Sequence, residues 1–293
     1  MAKFSSAKNQ AANVIKAVQG NEIKSVGTAR NYEQALTRVT EYIKSERLGG
    51  LRDLTPEQAL TYLEERSYVV GQSTLNMERQ AIQTMMKHVT GLLDKNENLE
   101  IVNSKKDETL NGRAYTSEQI TQIANSQNET NSLSTQIAYY SGLRAHELLT
   151  LQRREERLPS DRPALESKFT GRSGEKYTVN GKGGLIREVV IPRNLALKLE
   201  ERRLEVPRNV VDRGVNYKSY YDIAGGKKWS NSFSAASNRV LSWSTGAHGV
   251  RHSYAQERLL ELRNHDFSFR QSLEIISQEL GHFRSDITEV YLR

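Results

Sequence analysis

Apolar residues recur at helical spacing along most of this chain, and the places where that spacing fails mark its divisions. From Thr28 onward, Tyr32, Ala35, Leu36, Val39, Tyr42 and Ile43 fall on one helical face, which Gly49-Gly50 interrupts. The run Thr55-Pro56-Glu57-Gln58 reads as a helix start. Thr55 caps it, Pro56 takes the first helical position, where no N–H is needed, and Gln58 closes a capping box. A further helix after Ser73 carries Leu75, Ile82, Met85, Val89 and Leu92 on one side. Residues 22–96 are therefore expected to form an all-helical domain. The residues before it, 1–21, are small and polar, and a flexible or short helical arm is expected there. From Asp94 to Arg113 the chain is charged, Asn-rich and poor in large apolar residues, so a linker is expected over 97–114.

Beyond the linker, Thr116 or Ser117 caps a helix bearing Ile120, Ile123 and Ala124. The next holds Leu133, Ile137 and Ala138 and reaches Leu143, Leu148 and Leu149 after an interruption at Ser141-Gly142. From Lys176 the period shortens to that of a strand. Tyr177-Thr178-Val179 and Arg187-Glu188-Val189-Val190-Ile191 flank a turn at Asn180-Gly181-Lys182-Gly183-Gly184, which is a hairpin signal. Apart from an irregular stretch around 206–230, the rest reads helical. The fold class expected is mainly α, with a small β-hairpin or sheet inside a second domain at 115–293.

Composition narrows the classes. A length of 293 residues accommodates about two domains, each able to bury a core. With 42 Lys+Arg against 35 Asp+Glu, the net charge of +7 leans towards an anionic partner. The absence of cysteine excludes disulfide scaffolds, thiolate metal sites and Cys nucleophiles. No stretch approaches the roughly 20 apolar residues of a membrane span, and the N-terminus has no apolar run of the secretory kind. A cytoplasmic protein without a membrane partner is expected.

Four of the six histidines lie between His248 and His282. His248 and His252, four apart, could face one ion from a helix, but no carboxylate lies between them and Arg251 does, so no metal is expected. Arg144 followed by Glu147 is, taken alone, an ordinary ion pair within a helix. Lys182 at a hairpin tip is ordinarily a solvated turn residue, and Tyr291 is one of thirteen tyrosines.

Their order changes the reading. SGLRAHELLTL, NGKGGLIREVVIP, TGAHGVRHSYA and LGHFRSDITEVYL resemble, in sequence order, the four signature boxes of the tyrosine recombinases, the phage integrase family. Those boxes are GLR-x-x-EL, a GKG hairpin, H-x-x-R-H, and LGH followed nine residues later by the tyrosine nucleophile. His282 and Tyr291 have that separation, and the resemblance extends to residues 22–96 as a core-binding domain.

The resemblance implies a two-domain DNA clamp and a site-specific recombinase that cuts and rejoins DNA through a covalent 3′-phosphotyrosine, with no cofactor, metal or ATP. It gives Arg144 and Arg251 the scissile phosphate, a task suited to their planar, permanently charged forks. His282 would donate a further hydrogen bond, and His248 would accept a proton near the nucleophile. Lys182 would protonate the departing 5′ hydroxyl, Tyr291 would attack, and Glu147 would orient its neighbours. The partners implied are double-stranded recombination sites, held two at a time by a homotetramer with accessory DNA-bending proteins, so the protein would be nucleoid-associated when bound. Type IB topoisomerase-like action, telomere resolution, and a catalytically silent DNA-binding relative remain alternatives. Two residues, Leu292 and Arg293, follow Tyr291. Family members continue there into a segment that docks on a neighbouring subunit, so either a truncated chain or coupling through other surfaces, such as the N-terminal arm, is expected.

Overall fold

The computed structural model describes residues 5–107 and 111–292. Parts of the expected arm (1–4) and linker (108–110), and Arg293, lie outside the described residues. The chain divides into two compact units, 1–109 and 110–293.

The first unit is built from four helices, α1 (Ala7–Val18), α2 (Val26–Ser45), α3 (Pro56–Ser67) and α4 (Gln72–Met85). Ser6 caps α1, whose Ala11, Val14, Ile15 and Val18 are buried at the spacing of a single helical face. They join Leu36, Val39, Ile43, Tyr62, Leu63, Ile82 and Met85 in one core. The expected arm is therefore part of the unit's interior, because four modest apolar residues suffice when they share a face. The capping box of Thr55 and Gln58 at α3 is present.

Segment 97–105, where polarity suggested a linker, is fastened to this unit. Leu99 is buried, and α4 side chains satisfy its backbone: Arg79 donates to the Leu99 carbonyl (2.8 Å), Gln72 to that of Val102 (3.0 Å), and the Ser104 N–H donates to Gln72 (2.8 Å). An irregular segment can pack once its peptide groups find such partners, and polarity alone does not disclose them.

Glu78 of α4 is fully buried. It accepts from Tyr62 (3.0 Å), Arg38 (3.2 Å) and both Nε and Nη2 of Arg66 (3.1 and 3.0 Å). Burial, then the Glu78 carboxylate, pushes the Tyr62 phenol up. Glu78→Ala would strand two guanidiniums and a phenol, and a loss of about 3 kcal/mol in urea unfolding is expected. A change within 0.5 kcal/mol, the scale of an ordinary surface substitution, would show that the network carries no stability.

The second unit opens with α5 (Ser117–Asn125) and α6 (Glu129–Ser141), followed by a short 3-10 turn at Glu147–Thr150. Next comes an antiparallel sheet of order β1 (Gln152–Arg153), β2 (Glu175–Asn180), β3 (Ile186–Ile191), in which Val179 pairs with Arg187. After α7 (Arg193–Glu200), β4 (Arg203–Asp212) and β5 (Val215–Tyr221) form a separate two-stranded sheet. Helices α8 (Gly226–Leu241), α9 (Gly249–Asn264), α10 (Phe269–Leu280) and α11 (Ser285–Glu289) complete it. Its main core gathers Ile137, Val179, Val189, Leu199, Trp229, Phe233 and Val250.

The β4–β5 hairpin corrects the expectation of an irregular stretch at 206–230. β4 is half exposed and carries Pro207 where the register shifts between Arg203 and Arg208, and neither feature leaves the apolar alternation by which a strand is recognised. β5 does alternate and ends on the buried Ser219 and Tyr221.

Candidate active site

The site lies in the second unit, where α6 ends, β2 turns into β3, α9 begins and α10 gives way to α11. Gly142 makes the first of these junctions tight. It ends α6 with a φ of 59°, and a Cβ there would stand 2.9 Å from Leu280 and Tyr254 side-chain carbons. Only glycine combines that backbone with that approach.

Five residues on, Glu147 turns back under the loop with no exposed surface. Its Oε2 accepts from the Arg144 backbone N–H (2.7 Å) and from Arg187 Nη2 (2.7 Å), and its Oε1 accepts from Arg144 Nη1 (2.9 Å). Arg251 Nη1 lies 3.8 Å from Oε2. Burial alone would raise the Glu147 pKa, but Arg187, Arg251 and Arg144 together outweigh it and hold the carboxyl well below the usual range. One carboxylate thus serves three guanidiniums.

Arg251, in the first turn of α9, is wholly buried. Nη1 donates to the Gly142 carbonyl, and Nη2 to that of Leu280 (3.0 Å) and to His282 Nε2 (3.2 Å). Its Nε is buried and has no hydrogen-bond partner among the described residues. Burial, then the charge of Arg144, lowers its pKa to about 10, so it stays protonated at neutral pH.

Two locks fix this start of α9. Ser253 accepts from the Tyr115 N–H and donates to the Tyr115 carbonyl (both 2.8 Å), while the Tyr115 hydroxyl receives the Thr245 N–H (2.7 Å). Further along, Tyr254 and Arg258 bind the buried Glu279 of α10 (2.9 and 3.0 Å), setting Leu280 and His282 against α9.

Tyr291 sits in a short 3-10 turn after α11 and is 8% exposed. Its ring stacks on His282 (centroids 5.1 Å apart, 27°) and lies 4.8 Å from His252 and 5.5 Å from His248. The Arg251 guanidinium carbon is 5.5 Å from the ring centre, within cation–π range. Partial burial, then Arg251 and nearby cations, lowers His248 to about 4 and His282 to about 3. Both are neutral at neutral pH. Because arginine only donates, the Arg251 contact makes His282 Nε2 an acceptor and leaves the proton on Nδ1, 3.4 Å from Thr288 Oγ1. The donor that the resemblance expects of His282 is, in this tautomer, the Nδ1–H; donation from Nε2 requires the other tautomer.

The structure thus gathers Arg144, Glu147, His248, Arg251, His282 and Tyr291. Lys182 is different: it stands exposed at the β2–β3 tip, with no hydrogen bond or ion pair among the described residues. Two members of the cluster carry no role for this site in the sequence analysis. His252 enters there only as a candidate metal ligand. Arg187 lies within the hairpin signal, where it alternates with Val189 and Ile191 onto the buried face of β3, and a charge in that position must find a partner. Among the described residues, no three His, Asp or Glu side chains are grouped to hold a metal ion.

No protein-family model matches the chain, and no curated protein matches its sequence. Solved structures do match. XerH site-specific recombinase, bound to a palindromic difH substrate after cleavage, is 15% identical with a TM-score of 0.59, covering 98% of this chain and 90% of that one. The Tn1549 transposon integrase with transposon right-end DNA is 14% identical with a TM-score of 0.58, covering 99% and 95%. A lambda integrase dimer on a COC′ core site is 14% identical with a TM-score of 0.57, covering 97% and 94%. Over nearly its whole length, the chain has the fold of the tyrosine recombinases.

Proposed function

We propose that the protein is a site-specific DNA recombinase that breaks and rejoins DNA through a 3′-phosphotyrosine bond. The observation that carries this reading is the unpartnered buried Nε of Arg251 beside the Tyr291 ring. A buried donor without an acceptor marks the place of a missing one, and a phosphate oxygen supplies it. Arg144, with one Nη committed to Glu147 and its side chain partly open to solvent, completes the pair. Negative charge that builds on phosphorus is stabilised there by donors already in position.

In the cleavage step the Tyr291 oxygen forms a bond to phosphorus while the bond to the 5′ oxygen breaks. The phenolic proton passes to neutral His248, and Lys182, entering from the hairpin, protonates the leaving 5′ hydroxyl. A 5′ hydroxyl from another strand reverses the step, so neither ATP nor metal enters the balance. Glu147 keeps the two phosphate-binding arginines apart and oriented. The first unit, residues 22–96 with the preceding helix and the attached segment 97–105, is the core-binding part, and 115–293 is the catalytic part. Two DNA sites held by four protomers, assisted by DNA-bending proteins, complete the assembly. The lambda integrase seen as a tetramer on a Holliday junction has the same fold (14% identity, TM-score 0.54), which supports this reading.

The test is covalent capture: wild-type protein incubated in EDTA with a pool of nicked duplexes of random sequence, then denatured. Labelled DNA should remain attached to the protein. No adduct from any duplex overturns the reading, as does an adduct lost on chelation and restored by zinc. On the duplexes recovered, the rate at limiting DNA should hold level down to about pH 5. Below about pH 4 it should fall tenfold per unit as His248 takes up a proton and ceases to be a base. An acid limb centred near the ordinary histidine value of about 6.5 would assign the proton to another group.

A further inference from the structure

Arg187 makes no use of solvent and offers nothing to a substrate. It is buried, and each of its nitrogens faces a protein acceptor. Nη2 reaches Glu147 Oε2 (2.7 Å) and the Gly142 carbonyl (3.3 Å), Nε reaches Glu147 Oε1 (3.4 Å), and Nη1 reaches the Glu279 carbonyl (2.5 Å). Its stem lies against Gly281, where a Cβ would stand 2.8 Å from Arg187 Cδ. From β3, one side chain therefore touches the loop that carries Arg144 and the turn that carries His282. It also shares the Gly142 carbonyl with Arg251. Arg251 has a buried donor to spare, whereas Arg187 has spent its donors on the frame.

We propose that Arg187 is a positioning residue for strand transfer, holding the Glu147 carboxylate where it sets Arg144 and Arg251 at the phosphate. This rests on the recombinase reading above. Because Arg187 acts through Glu147, its loss and the loss of Glu147 count once. The double variant also takes the carboxylate from Arg144 and the buried Arg251, so its thermal unfolding is followed beside its cleavage.

The experiment measures adduct formation on the captured duplexes by wild type, Arg187→Met, Glu147→Gln, the double variant and Arg187→Lys, with DNA binding measured in parallel. Arg187→Met and Glu147→Gln should each slow cleavage by about 100-fold with binding changed no more than about threefold. The double variant should be no slower than the slower single, since residues acting as a unit are not additive. Losses that multiply in the double variant, or Arg187→Met cleaving at the wild-type rate, overturn the proposal. Should Arg187→Met fail to fold, Arg187→Lys decides: it keeps the charge without the fork, and cleavage on the order of tenfold slower is expected, while a wild-type rate overturns it. Wild type forming no adduct sinks the recombinase reading instead, so the two failures are distinct.

Discussion

Tyr291→Phe is expected to bind the captured duplexes within about twofold of wild type and to form no covalent adduct at any time. The aromatic ring does the packing: it lies on His282 and His252 and under the Arg251 guanidinium. Removing one oxygen leaves those contacts intact and deletes only the atom that would attack phosphorus. The loss is therefore total in chemistry and slight in stability, a combination that a structural tyrosine does not give. Thermal unfolding of the variant, followed beside the denaturing gel, separates the two. An adduct persisting in Tyr291→Phe would assign the nucleophile to another residue.

The second large effect is expected at Arg251→Lys. An ammonium cannot span the Gly142 carbonyl, the Leu280 carbonyl and His282 together, nor keep a further donor for a phosphate oxygen. Loss of one preorganised donor costs roughly 100- to 1,000-fold in rate, and here two functions go at once, so a fall of about 1,000-fold is expected. The carbonyls of Gly142 and Leu280 would also lose their partner, lowering stability by about 2 kcal/mol in thermal or urea unfolding. Cleavage within tenfold of wild type would show that the guanidinium fork is not what the reaction uses. Comparison with Arg187→Lys, whose effect should be smaller, separates a side chain that meets the phosphate from one that supports it.

Much of the fold was legible because helices announce themselves. The face formed by Ala35, Leu36, Val39 and Ile43, and the cap at Thr55, needed nothing beyond spacing. The hairpin around Lys182 was readable from its glycines. The β4–β5 pair was not, since β4, half exposed and broken by Pro207, offers β5 no matching alternation. Nor was the seating of segment 97–105, which depends on Gln72 and Arg79 reaching distant carbonyls. At the candidate site the boxes supplied Arg144, Glu147, His248, Arg251, His282 and Tyr291, all of which the fold brings together. Arg187 and His252 are less legible: His252 closes the H-x-x-R-H box without a role attached to it, and Arg187 is signalled only by a charge on the apolar face of a strand, its partners lying on other elements. The tautomer of His282 follows only once its neighbour is known to be an arginine.

Three guanidiniums gathered on the one Glu147 carboxylate, two of them buried and Arg144 partly open to solvent, leave the second unit with an excess of positive charge at this point. On the proposed reading, the phosphodiester that the site binds is also the counterion to this charge. Substrate and scaffold are then linked thermodynamically: whatever anion fills the gap adds to the stability of the folded state by mass action. The protein should resist heat better on DNA than off it, and more so at low ionic strength, where fewer dissolved ions screen the attraction.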